Sequence, residues 1–118
     1  LEQHELVDHI RHPAFESCPG HEFFKRDFDG SNGLFSFVMK TGNQKAIDAF
    51  LDSLEHIKMG FSWGGYESLV TANLSMKGLR SETGWSQGPV IRLHIGLEDV
   101  SDLLADLDQA LAVYESHL

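Results

Sequence analysis

Arg92 is the residue whose position asks for a chemical explanation. It sits in Val90-Ile91-Arg92-Leu93-His94-Ile95, an otherwise apolar run apart from His94. In an extended chain Ile91, Leu93 and Ile95 face one way and Arg92 and His94 the other. A guanidinium removed from water needs an anionic partner, and its planar fork fits a carboxylate through two parallel bonds. Two assignments compete: a clamp for a substrate carboxylate, and half of an internal salt bridge. His94 suits a satisfied buried histidine better than a free base.

A second stretch, Phe61-Ser62-Trp63-Gly64-Gly65-Tyr66-Glu67-Ser68, carries the remaining candidates. Gly64-Gly65 permits positive φ and close approach of backbone to a ligand, but such a pair also simply makes a tight turn. Ser62 offers a hydroxyl or an N–H to the same carboxylate. Trp63 either walls a pocket or fills the core, and Tyr66 reads as a core residue. Spacing alone does not bring Ser62, Trp63 and Arg92 together.

Other tempting residues have plainer explanations. Glu98, Asp99 and Asp102 stand where a helix dipole favours negative charge, which accounts for them without catalysis or metal. His9 and His12 are one helical turn apart, with His4 nearby, but no metal motif surrounds them and a solvated helix face suffices. Cys18 lacks a pKa-lowering context and reads as structural. The chain has no P-loop, no G-x-G-x-x-G, no Cys/His metal set and no G-x-S-x-G elbow.

The elements that must position Arg92 follow from pattern. The 118 residues, 42% apolar, predict one domain with a sizeable core. The net charge of -9 disfavours nucleic acid and anionic membranes as partners. No apolar run is long enough to cross a bilayer, and no secretory leader is visible. The single cysteine excludes an internal disulfide and fits the cytoplasm.

In chain order, residues 1–11 predict a helix, with Leu6, Val7 and Ile10 at helical spacing and Pro13 ending it. Residues 21–28 predict a short helix that packs Phe23, Phe24 and Phe28, and residues 29–33 a loop. Residues 34–40 predict a strand covered on both faces. Thr41 or Asn43 caps a helix running to about residue 55, with Ala46, Ile47, Phe50, Leu51 and Leu54 as its buried stripe. Strands follow at 56–59, 67–73 and 90–95. The polar stretch 75–88 reads as a loop with a helical turn at 77–80 and Trp85 as its anchor. The last helix carries Val100, Leu103, Leu104, Leu107, Leu111 and Tyr114 as its packing stripe. The expected fold is α+β, a two-layer α/β sandwich with a small, mostly antiparallel sheet and helices on one face.

Four stretches taken together resemble a known family. They are Gly20-His21-Glu22-Phe23-Phe24-Lys25-Arg26-Asp27-Phe28, Gly33-Leu34-Phe35-Ser36-Phe37, Ser62-Trp63-Gly64-Gly65-Tyr66-Glu67-Ser68-Leu69 and Ile91-Arg92-Leu93-His94-Ile95-Gly96-Leu97-Glu98-Asp99. In matching order they resemble the C-terminal domain in the bacterial cystathionine β-lyase branch of the Cys/Met-metabolism pyridoxal-phosphate enzymes, which have the aspartate-aminotransferase fold. The resemblance implies that Arg92 binds the α-carboxylate of an amino-acid substrate, L-cystathionine, with Ser62 beside it and Trp63 lining the pocket. Phe61 stands where some relatives carry Tyr. It also implies a parent enzyme performing β-elimination with pyridoxal phosphate, as a homotetramer in methionine biosynthesis. The Schiff-base lysine of the family lies in a Thr-Lys context that none of Lys25, Lys40, Lys45, Lys58 and Lys77 matches. The expectation is therefore a C-terminal domain at 13–118 preceded by the end of an interdomain helix at 1–12, with the large N-terminal cofactor domain missing. Such a fragment has no catalytic, cofactor-binding or metal residues of its own, binds no cofactor and is inactive alone. Two alternatives are a stand-alone binding module of the same fold and a domain from a γ-branch relative.

Overall fold

A computed structural model describes residues 1–77 and 88–118. Its elements are β1 (Val7–Arg11), α1 (His21–Asp27), β2 (Leu34–Met39), α2 (Gln44–Ser53), β3 (Lys58–Met59), β4 (Leu69–Asn73), β5 (Val90–His94) and α3 (Val100–Ser116). The strands form one sheet in the order β1-β2-β5-β4-β3, antiparallel throughout except for the β3/β4 pair. This is the expected α+β arrangement, and β5, the strand of Arg92, lies at its centre.

The core lies between one face of the sheet and the helices α2 and α3. Phe37 and Met39 of β2, Ile91 and Leu93 of β5 and Val70 of β4 meet Ala46, Ile47 and Phe50 of α2 and Leu103, Leu107, Leu111 and Tyr114 of α3. The α2 stripe packs as its spacing predicts. Its cap is Asn43, whose side chain accepts from the Ala46 N–H at 2.9 Å. In α3 the stripe is only partly used: Val100 and Leu104 are exposed. Alternate β2 residues turn to the far face, where Val38 is also buried, so this end of β2 is covered on both sides.

The chain's beginning corrects the sequence reading. Residues 1–11 do not form a helix; they make turns and then β1, paired antiparallel to β2. The physical reason is a register irregularity between Val7 and His9, where Val7 pairs with Met39 and Ile10 with Phe37. An extra residue at that point puts Val7 and Ile10 on the same, buried face although they are three apart. A bulged strand thus imitates helical spacing.

Helix α1 forms where expected, but none of its residues is buried. Phe23, Phe24 and Phe28 do not enter the core as expected. Phe24 stacks on Phe28 at 5.9 Å between ring centroids, and Arg26 covers the Phe23 ring at 5.2 Å. Seven residues on the rim are too short a helix to reach the sheet and pack on themselves instead. The helical turn expected at 77–80 and the Trp85 anchor fall mainly on residues 78–87, outside the described residues.

Candidate functional site

The site is built on the sheet face opposite the core. On that face Arg92 pairs across the sheet with Ser36 of β2 and Thr71 of β4. Both neighbours are small and polar, which leaves room for a long guanidinium above the sheet. His94 follows two residues along, flanked by Leu34 and Leu69.

Arg92 does not, among the described residues, form the internal salt bridge that competed for it. Among the described residues no carboxylate lies within salt-bridge distance of its guanidinium. Its Nη2 donates to the Phe61 carbonyl at 2.6 Å. That bond uses one N–H and neutralises no charge, so the guanidinium has further N–H donors beyond it.

That bond is the first rung of a ladder between the two stretches singled out in the sequence. His94 is 7% exposed and holds the glycine turn from both ends, with Nδ1 3.3 Å from the Gly64 N–H and Nε2 2.9 Å from the Gly65 carbonyl. The Leu97 N–H donates to the Tyr66 carbonyl at 2.8 Å. Ser68 is buried and donates its N–H at 2.7 Å and its hydroxyl at 2.6 Å to the Glu98 carboxylate, while its Oγ accepts from the Gly96 N–H at 2.8 Å. Five residues of 92–98 (Arg92, His94, Gly96, Leu97 and Glu98) therefore hold residues of 61–68. The Gly96 position is fixed by this fit, since a Cβ there would overlap the Tyr66 carbonyl oxygen. Gly64 has φ of 85°, the left-handed region that its lack of Cβ permits.

Ser62 and Trp63 lie between the Arg92 rung and the His94 rungs. Adjacent Cα atoms are ~3.8 Å apart, so Ser62 follows directly on the carbonyl that Arg92 holds. The turn stands out from the sheet: Trp63 is 58% exposed and Tyr66 71% exposed. Tyr66 is not the core residue that its type suggested, and of the two readings of Trp63 the core filler is excluded. The fold brings the neighbourhood of Ser62 to Arg92 and leaves the Trp63 ring exposed beside it.

Glu98 was assigned by the sequence to the helix dipole, and the structure corrects this. It precedes α3 and latches Ser68; the cap of α3 is Asp99, which accepts from the Ser101 N–H at 2.8 Å. Partial burial alone would raise the Glu98 carboxyl, but the bonds from the Ser68 hydroxyl and amide outweigh it and hold the group below its ordinary range. Asp106 was missed. It is 3% exposed, and its two oxygens accept from the N–H groups of Glu55, His56 and Ile57 and from Gln109 Nε2. It ties α3 to the corner that leads into β3 and the Phe61 turn. A signal was present: Asp106 lies in the apolar stripe between Leu103 and Leu107, a place no solvated carboxylate occupies.

The tempting histidines are spoken for locally. His9 bridges Asp8 at 2.6 Å and Arg11 at 3.0 Å, and His12 accepts from the Ala14 N–H at 3.1 Å. They sit on and after a strand, not on the expected helix face. Among the described residues no group of three or more His, Cys, Asp or Glu side chains is arranged to hold a metal. Among them, too, no helix is long and apolar enough to cross a membrane.

Comparison with known proteins gives a consistent result. The model of the Cys/Met metabolism PLP-dependent enzyme family matches residues 1–112. Cystathionine β-lyase of Escherichia coli is 49% identical over 117 residues, covering 95% of this chain and 29% of that protein. Cystathionine γ-lyase of Sus scrofa is 40% identical over 116 residues, covering 94% of this chain and 28% of that protein. Cystathionine γ-synthase from Xanthomonas oryzae, solved in complex with cystathionine, superposes with a TM-score of 0.82 at 34% identity, covering all of this chain and 32% of that one. The chain thus spans less than a third of the length of these relatives.

Proposed function

Because this chain belongs to the Cys/Met metabolism PLP-dependent enzyme family, we propose that it forms the C-terminal, substrate-carboxylate-binding domain of a cystathionine β-lyase. The observation that carries this reading is the Arg92 guanidinium, central in the sheet and without a carboxylate partner among the described residues. In the proposed reaction L-cystathionine and water give L-homocysteine, pyruvate and ammonia by β-elimination. Pyridoxal phosphate, when bound, supplies the electron sink.

In this reading the cofactor is anchored in another part of a longer protein. Lys25, Lys40, Lys45, Lys58 and Lys77 are all exposed, and Lys58 Nζ is engaged by the Glu55 carbonyl at 3.0 Å. The part of this chain is orientation. Arg92 takes the substrate α-carboxylate in two parallel bonds, Ser62 donates to the same group, and Trp63 covers it against water. Holding the carboxylate fixes the direction of the Cα–H bond that must break. The exposed rings of Phe61, Trp63 and Tyr66, with Leu97, suit a surface closed by the rest of a longer protein. The reading includes a separate cofactor domain, a homotetrameric parent and the cytoplasm. It assigns methionine biosynthesis as the pathway, since homocysteine is the product.

The test is Arg92→Ala in the whole protein. kcat/KM for L-cystathionine should fall by about 100- to 1,000-fold, mainly through KM, with partial recovery in Arg92→Lys, which keeps the charge but not the fork. Unchanged kcat/KM would remove the clamp. The product decides the branch: 2-oxobutyrate in place of pyruvate would make the parent a γ-lyase, to which the Sus scrofa relative gives weight. No turnover of either kind, with carboxylate binding intact, would favour a binding module.

A further inference from the structure

We propose that His94 is a positioning residue, which fixes the Gly64-Gly65 turn and so sets where Ser62 and Trp63 stand beside Arg92. Its functional consequence rests on the carboxylate reading of Arg92; its structural consequence does not.

Between the rungs at Phe61 and Tyr66 the turn has little else to hold it. Residues 61–67 are all exposed, and a Cβ at Gly64 or Gly65 would meet nothing within 4 Å. Two adjacent glycines, one at φ 85°, have more backbone freedom to lose than any other pair. Among the described residues the polar contacts to Gly64 and Gly65 come from His94 alone. The ring itself is set in place, since β5 is the central strand and is paired on both sides at this residue.

The two contacts also select one form of the ring. A carbonyl oxygen only accepts, so the bond to Gly65 requires a proton on Nε2. The Gly64 N–H only donates, so Nδ1 must carry its lone pair. The neutral ring protonated at Nε2 meets both demands. No single amide side chain does: Asn can offer an acceptor near the Nδ1 position, and Gln a donor near the Nε2 position.

The experiment uses the whole protein with His94→Phe, His94→Asn and His94→Gln. Hydrogen exchange resolved at Gly64 reads the turn directly. Protection of the Gly64 amide should be lost in His94→Phe and His94→Gln and retained in His94→Asn. KM for L-cystathionine should rise about tenfold in His94→Phe, with kcat within about threefold and intermediate values in the two amides. A purely structural role would lower melting temperature and active fraction and leave KM unmoved. Gly64 protection unchanged in His94→Phe, or equal in the Asn and Gln variants, overturns the proposal. If His94→Phe does not fold, the Asn and Gln pair carries the test alone. Loss of Gly64 protection together with Arg92→Ala leaving kcat/KM unchanged would preserve the role of His94 in the turn and sink the carboxylate reading instead.

Discussion

Asp106→Ala removes one side chain and strands three backbone donors. In the folded protein its carboxylate accepts from the N–H of Glu55 at 2.8 Å, His56 at 2.9 Å and Ile57 at 3.0 Å. Ile57 is buried, so its N–H finds no replacement partner; leaving such a donor unsatisfied costs ~1–3 kcal/mol. Glu55 and His56 are exposed, and water can take over their amides, so each costs only ~0.5–1 kcal/mol. The whole loss comes to ~3 kcal/mol, a large share of the ~5–15 kcal/mol that a domain of this size has. In urea this lowers the midpoint by ~1–2 M with little change of slope. Asp106→Asn keeps one acceptor oxygen and should lose about half as much. Asp108→Ala, an exposed carboxylate on the same helix, is the control and should stay within ~0.5 kcal/mol. Acid adds a second readout. Burial alone would raise the Asp106 carboxyl, but the amides of Glu55, Ile57 and His56 and the Gln109 side chain outweigh it and depress it. A depressed carboxylate contributes in full above its unfolded value of about 4, and the contribution is lost as pH falls from there toward the folded value. Wild type should therefore lose more stability below about pH 4 than Asp106→Asn does. An Asp106→Ala loss no larger than that of Asp108→Ala, or equal acid slopes in wild type and Asp106→Asn, would refute the reasoning.

Other consequences of the ladder and the core can be measured in the same way. Ser68→Ala removes the hydroxyl of the 2.6 Å bond and keeps the 2.7 Å amide bond, while Glu98→Gln removes the charge that accepts both; a double-mutant cycle should show ~1 kcal/mol of coupling for the hydroxyl bond, and additive effects would mean that this bond carries no energy. Gly96→Ala forces a Cβ onto the Tyr66 carbonyl and should cost more than ~2 kcal/mol, whereas Gly65→Ala, which meets nothing within 4 Å, should cost under ~1 kcal/mol; equal melting temperatures would contradict the close approach. Tyr114→Phe removes a donor to the Thr41 carbonyl at 2.8 Å and should cost ~1 kcal/mol. Burial pushes the Tyr114 phenol up to about 12, so ultraviolet titration should show one of the tyrosines ionising well above the other, and two ordinary phenols would exclude it.

Sequence by itself determined whatever depends on neighbours along the chain. The alternation of Ile91, Leu93 and Ile95 fixed a strand and the faces of Arg92 and His94, because side chains in an extended chain must alternate. Thr41 and Asn43 placed the start of α2 within two residues, because a short polar side chain before an apolar period satisfies a free helical N–H, and the structure selects Asn43. The joint run of Arg92, His94, Gly96 and Glu98 with residues 61–68 was visible as two motifs of one family, though not as a contact. Tertiary structure decided what depends on pairing across distance. Only the register with β2 shows that Val7 and Ile10 share a strand face through a bulge, since their spacing fits a helix equally well. Depth rather than residue type left Phe23, Phe28 and Tyr66 outside the core and put Asp106 inside it. The ladder itself is tertiary in origin: Ser68 and Glu98 are separated by 30 positions, as are Gly64 and His94, and nothing in either segment encodes the other's amides and carbonyls. Those groups become partners only after β4 and β5 have paired, when burial turns an unmet hydrogen bond into a cost that the fold must avoid.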